Sequence, residues 1–158
     1  TEGTQGRSTK TKTPIFGMVQ RDGLVHALKV TDTKASTLMP IIKQFCKENA
    51  HFFTDELTSY SSLDKEGIKH SVIEHGKKEF SKDGITTNSI EGFWGHFKRM
   101  VFGTYHFVSK DYVQRYLDEA VYRYNTRKAD ESARFADMFC KSIGIVSYMD
   151  VKSIRCAA

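Results

Sequence analysis

Two acidic residues have the setting that metal-dependent phosphoryl chemistry requires. Asp55 directly follows the short apolar run His51-Phe-Phe-Thr54, and Glu91 lies near the start of a helical pattern that opens at Asn88. An acid at the C-terminal end of a strand in an α/β sheet faces the edge where sites form. If the helix packs beside that strand, both carboxylates reach one solvent-facing spot, and two hard oxygen donors there suit Mg²⁺, which takes carboxylates together with water and phosphate oxygens. Lys98 falls two helical turns beyond Glu91 and projects from nearly the same face, where with Arg99 it could grip a phosphate. Each residue also has a plainer reading. Asn88-Ser-Ile-Glu91 is a capping-box pattern, with Asn88 as cap and Glu91 reaching back to its backbone amide. An Asp after an apolar run often closes a turn, and a Lys-Arg pair is ordinary solvated surface.

The elements that would carry these groups follow from patterning. Pro14 to Gln20 and Leu24 to Val30 read as two antiparallel strands joined by a turn at Asp22-Gly23. Leu38, Ile41, Ile42 and Phe45 fall at helical spacing, with Thr37 as cap and Pro40 in the first turn, where proline is tolerated. His51 to Thr54 and Gly67 to Ile73 are two further strands, separated by a polar helix or turn, giving the order β-β-α-β-α-β. Residues 76–87 are polar and charged and read as a mobile loop. The helical region from Asn88 is broken near Gly103 and restarts with Ser109 as cap. Tyr112, Val113, Tyr116, Leu117, Ala120, Val121 and Tyr124 then form one apolar stripe, as a helix packed on a sheet requires. The stretch from Lys128 to Ala158 is helix-prone but weakly patterned. Phe93 and Phe97 read as core residues, and Trp94 as either core or a base-stacking platform.

The bulk properties fit this plan. A chain of 158 residues supports one domain with a real core, preceded by a flexible basic linker over 1–13 that has nothing apolar to bury. The 24 Lys+Arg against 19 Asp+Glu give a net charge of +5, a modest excess that suits a polyanion partner. Cys46, Cys140 and Cys156 are odd in number and lack finger spacing, which argues against a disulfide framework or structural zinc. They read as reduced thiols. His70, His75, His96 and His106 have no metal-ligand spacing, and no apolar run approaches a membrane span.

The segments Asn88-Ser-Ile-Glu-Gly-Phe-Trp-Gly-His-Phe-Lys-Arg99, Gly103-Thr-Tyr-His-Phe-Val-Ser109 and Arg123-Tyr-Asn-Thr-Arg127 follow Pro14-Ile-Phe-Gly-Met-Val-Gln-Arg21, Phe53-Thr-Asp-Glu-Leu57 with Tyr60, and His70-Ser-Val-Ile-Glu-His75. In these ordered blocks, which cover nearly all of the chain after the linker, it resembles the ISXO-like, DDE-type insertion-sequence transposases of bacteria, whose eukaryotic relatives are the Merlin transposons.

The resemblance implies an α/β, RNase H-like fold over 14–158, a mixed sheet flanked by helices. It implies a site holding two Mg²⁺ (or Mn²⁺) ions. Asp55 matches the second acid, Glu91 or Asn88 the third position, and Lys98 the trailing basic residue; Glu91 is favoured because its carboxylate is an anionic ligand seven residues before Lys98. The implied activity is phosphodiester cleavage and strand transfer in cut-and-paste transposition. The partners are double-stranded DNA of transposon ends and target, and further copies of the chain in an active homo-oligomer, with neither a membrane nor a small-molecule substrate. The compartment would be the nucleoid-bearing cytoplasm in a bacterium or the nucleus in a eukaryote. Lys10, Lys12, Lys77, Lys78, Lys98 and Arg99 would contact phosphates. The family's first acid sits on a strand upstream of the basic linker, so the resemblance implies a sheet without its first, central strand and a stretch that is inactive alone. A DNA- or protein-binding fragment of the same fold and a metal-dependent nuclease remain alternatives on the residues.

Overall fold

The computed structural model describes residues 13–45, 50–55, 58–61, 63, 66–73 and 87–141. The expected linker over 1–13, apart from Thr13, and the expected loop over 76–87, apart from Thr87, lie outside them. The described residues fall into two compact units divided after Asn125.

The first unit is built on a hairpin. Strands β1 (Ile15–Val19) and β2 (Val25–Lys29) pair antiparallel, with Gly17 opposite Ala27. The Gly23 amide closes the turn on the Gln20 carbonyl at 3.0 Å, and Asp22 takes the left-handed conformation, φ 54. Bonds from the Gln20 amide to the Leu24 carbonyl and from the Val30 amide to the Pro14 carbonyl bracket the ladder. By antiparallel alternation, even-numbered residues make the interstrand bonds, and odd-numbered backbone groups of both strands point away from the hairpin.

Helix α1 (Ala35–Phe45) follows. It starts two residues before Thr37, which corrects the expected cap. Asp32 does that work instead, accepting hydrogen bonds from the Lys34 amide at 2.9 Å and the Thr37 hydroxyl at 2.7 Å. Pro40 therefore lies inside the helix and not in its first turn. Its missing N–H costs a bond on the exposed side, while Leu38, Met39 and Ile42 bury the opposite face. Strand β3 (His51–Thr54) and strand β4 (Lys69–Val72) pair parallel, linked through a 3-10 turn at Thr58–Ser61. Among the described residues the four strands form two two-stranded sheets.

Helix α2 (Asn88–Met100) does not end at Gly103; it widens into a π turn over Val101–Tyr105, and the break comes at His106, φ 58. Helix α3 (Val113–Asn125) buries Val113, Leu117 and Ala120, the centre of the expected stripe. Ser109 receives the Tyr112 amide on its carbonyl, but its hydroxyl is buried and caps nothing.

Two cores share the hairpin. Val25 and Ala27 face Phe93, Phe97, Val113 and Leu117 of α2 and α3. Phe16 and Val30 face Leu38 and Ile42 of α1 together with Leu63, and Phe52 of β3 packs on the same cluster. The period-2 alternation of β1 and β2 thus feeds one side chain to each layer in turn. Several outward groups of β2 are satisfied by α3. The Asn125 side chain accepts from the Val25 amide at 2.8 Å and donates to the Val25 carbonyl at 3.0 Å, and Gln114 accepts from the Lys29 amide at 2.7 Å. An edge strand left bare would otherwise pair with other chains.

The second unit contains helix α4 (Glu131–Lys141). Asp130 accepts from the Ser132 amide at 2.9 Å at its start, and Phe135 and Phe139 stack with centroids 6.4 Å apart. Cys140 is a free, exposed thiol; Cys46 and Cys156 lie outside the described residues. No helix among the described residues is long and apolar enough to cross a membrane.

Candidate active site

Asp55 leaves the C-terminal end of β3 exposed to solvent. Its position is set by Thr54, the buried last residue of the strand. The Thr54 hydroxyl donates to the Asp55 carbonyl at 2.9 Å and lies 2.8 Å from His70 Nε2 on β4. One hydroxyl thus bridges the Asp55 carbonyl and the His70 ring. Parallel pairing of β3 with β4 continues to the strand end, where the Ile73 amide donates to the Thr54 carbonyl at 2.9 Å. Tyr60, on the 3-10 turn, completes this surround. Its burial, and then the negative charge of Asp55, push the phenol up to about 12. Tyr60 therefore stays protonated at neutral pH, within electrostatic reach of the carboxylate.

Glu91 is exposed in the first turn of α2. The capping box is not formed. Thr87 occupies the position before the helix, its carbonyl takes the Ile90 and Glu91 amides at 3.1 Å each, and its hydroxyl donates to Glu91 Oε1 at 3.0 Å. Asn88 is the first helical residue and is exposed. Glu91 thus takes the hydroxyl of Thr87, the residue before the helix. Lys98 and Arg99 are exposed in the last turn of α2, and Glu91, Gly95 and Lys98 follow one another along one helical face.

What fixes this helix is the opposite face. Phe93 is 1% exposed, and Trp94 lies over Gly17 of β1, so close that a Cβ built there would sit 2.4 Å from its ring. Trp94 is a core residue; with Phe93 and Phe97 it forms an edge-to-face aromatic series. Asp55 and Glu91 are therefore carried on elements that both pack on the hairpin, Asp55 through the α1 side core and Glu91 through the α2 side core. Lys10, Lys12, Lys77 and Lys78 lie outside the described residues.

Exposed carboxylates with a protonated phenol nearby are hard oxygen donors of the type that Mg²⁺ or Mn²⁺ accepts. Among the described residues no three His, Cys, Asp or Glu side chains cluster as a ready ligand set. Asp55 and Glu91 are each of that donor type. Thr54, Tyr60, His70 and Thr87 are the supporting residues that patterning does not single out, because each acts through a contact distant in sequence or through a register that only the folded helix defines.

This arrangement defines an α/β domain with acidic residues displayed at element ends. The family model for the ISXO2-like transposase domain matches residues 1–125, and the chain belongs to that family. An uncharacterized transposase-like protein of Haemophilus influenzae is 31% identical over 101 residues, which is 64% of this chain and 80% of that protein. No solved structure matches the chain.

Proposed function

We propose that this chain is the catalytic part of a DNA transposase that cleaves phosphodiesters and joins strands with the help of divalent metal ions. The observation that supports the reading is the place of Glu91: exposed in the first turn of α2, with the Thr87 hydroxyl on its carboxylate, it lies on the same helical face as Lys98. In this reading Asp55 and Glu91 hold Mg²⁺ or Mn²⁺, and Asn88 stands beside Glu91 as the alternative third position. When bound, the ions supply activation of water or of a 3′-hydroxyl and neutralise charge on the phosphate. Lys98 and Arg99 position the DNA backbone, with Lys10, Lys12, Lys77 and Lys78 as further phosphate contacts. Tyr60 lies within electrostatic reach of Asp55, and Thr54 with His70 holds the end of β3 from which Asp55 projects.

The same reading makes the fold RNase H-like. The outward backbone groups of Ile15, Gly17 and Val19 on β1, and of His51 and Phe53 on β3, pair with no strand among the described residues. A further strand pairing with these groups would join the two sheets, since unpaired ladder groups at a sheet edge invite pairing. The active species is a homo-oligomer on transposon-end DNA.

The test is cleavage of a labelled transposon-end duplex by the full-length protein in Mg²⁺. Asp55→Ala and Glu91→Ala each reduce cleavage to background with DNA binding kept, while Asn88→Ala retains activity. Cleavage that survives in both acid variants overturns the site.

A further inference from the structure

Beyond Arg99 the backbone leaves regular helical geometry. Val101–Tyr105 form a π turn, a form concentrated at functional sites. His106 then takes φ 58, ψ −38, and the Phe107 amide donates across it to the Tyr105 carbonyl at 2.6 Å. A γ-turn with positive φ at a residue bearing a side chain is rare and strained, and it persists only where the surroundings over-determine it. They do so here. The Tyr105 ring meets Tyr116 edge-on at 4.6 Å, and its hydroxyl donates to Glu119, which also holds Arg123 at 2.8 Å.

What this braced turn displays is apolar. Phe102 is 72% exposed and Phe107 76%, although Phe93 and Phe97 on the same segment are buried. The setting is cationic: Lys98 and Arg99 precede the turn, Lys110 follows it, and the Lys29 ammonium reaches the Lys110 carbonyl at 3.1 Å. Between Lys98 and Arg115 the sequence contains one acid, Asp111, and Glu119, which α3 brings to Tyr105, is offset by its ion pair with Arg123. A rim of this charge disfavours a basic chain like this one as the occupant and favours a polyanion. Aromatic faces among cations match nucleobases whose phosphates lie on the cations, and stacking of that kind requires bases that are not already paired and stacked in a duplex.

The geometry points to Phe102 and Phe107 as stacking platforms for unpaired bases of DNA, with Lys98 and Arg99 on the adjoining phosphates. The inference rests on the DNA-processing reading above and adds a preference for frayed or single-stranded ends over intact duplex. It also accounts for the strained His106, which precedes the exposed Phe107 just before the chain enters the helix packed on the hairpin.

The test compares binding of the full-length protein to a blunt duplex and to the same duplex with a short unpaired tail carrying 2-aminopurine. The wild-type protein binds the tailed DNA more tightly and quenches the probe. Phe102→Ala and Phe107→Ala each lose about tenfold in affinity for the tail, from the usual worth of one stacked base, and leave blunt-duplex binding and thermal unfolding unchanged. Phe107→Trp keeps the preference, whereas Phe107→Leu, which retains bulk without a π face, loses it. Variants that bind the tail like wild type, with blunt-duplex binding intact, overturn the inference and leave the transposase reading standing. Full function in Phe107→Leu, with a changed oligomeric state in Phe107→Ala, also overturns it, in favour of a protein contact. A wild-type protein that binds neither DNA removes both readings.

Discussion

The Thr54 hydroxyl sits 2.8 Å from His70 Nε2 and donates a hydrogen bond to the Asp55 carbonyl at 2.9 Å, so one side chain ties the end of β3 to its neighbour β4 and fixes the peptide from which Asp55 projects. Thr54→Val preserves shape and β-branching but removes both bonds. If Asp55 is a metal ligand, such outer-shell changes weaken metal affinity or activity by about 10- to 100-fold. The Mg²⁺ concentration for half-maximal cleavage should rise accordingly, with DNA binding unaffected, and Thr54→Ser should restore it. An unchanged Mg²⁺ dependence would separate Thr54 from the site.

The pairing of Tyr60 with Asp55 predicts a titration. A folded value of about 12 lies above the ordinary phenol value of about 10. The folded state therefore holds this proton more tightly than the unfolded one, and the associated stability is complete below about pH 10 and lost as pH rises toward about 12. Asp55→Asn removes the second of the two causes and leaves burial, the larger. The phenolate transition of Tyr60, isolated by difference against Tyr60→Phe in ultraviolet titration, should move down in Asp55→Asn and yet stay above its ordinary range. A transition that does not move means the carboxylate does not face the phenol.

Much of this architecture is legible in the residues because it is written in local periodicity. The alternation around Asp22-Gly23 gives the hairpin, and the stripe from Val113 to Tyr124 gives α3 and its buried face. Helix starts are less legible where several polar residues compete. Asp32 and Thr37 both have capping chemistry, and the folded chain uses Asp32 with Thr37 as its donor. Likewise Thr87, Asn88 and Ser89 each suit the end of a helix. Placing the cap at Thr87 shifts the register by one residue and removes the box that Asn88 and Glu91 would otherwise make. Contacts far apart in the chain leave no periodic trace. Nothing around Gly17 announces Trp94, and nothing around Val25 announces Asn125. The Asp55 and Glu91 candidates arise from residue type and resemblance, while their supporting contacts are tertiary.

Gly17 carries a packing prediction. A methyl group there meets Trp94 Cζ2 at 2.4 Å and Cη2 at 3.0 Å, and that ring is held between Phe93 and Phe97. Gly17→Ala should destabilise by about 1–3 kcal/mol, the usual cost of overpacking. Chemical denaturation measures the loss. Trp94→Leu in the same chain relieves the clash, so the double variant should lose less than the sum of the single changes. Strict additivity would show that the indole does not press on β1.

Asn125 makes the most asymmetric prediction. Its amide satisfies both the N–H and the C=O of Val25, a residue with no exposed surface, at the outer edge of β2. Asn125→Ala leaves a donor and an acceptor without partners in a partly buried place, and each such group costs about 1–3 kcal/mol. Asn125→Asp keeps the acceptor that takes the Val25 amide and loses only the donor to its carbonyl, so its loss in urea denaturation should be roughly half as large. Removing the cover also exposes an edge that can pair with other chains. Asn125→Ala should therefore show concentration-dependent association by light scattering at denaturant levels where the wild-type protein remains dispersed. Equal losses in the two variants, without association, would mean that the side chain acts as helix surface and not as the cover of the strand.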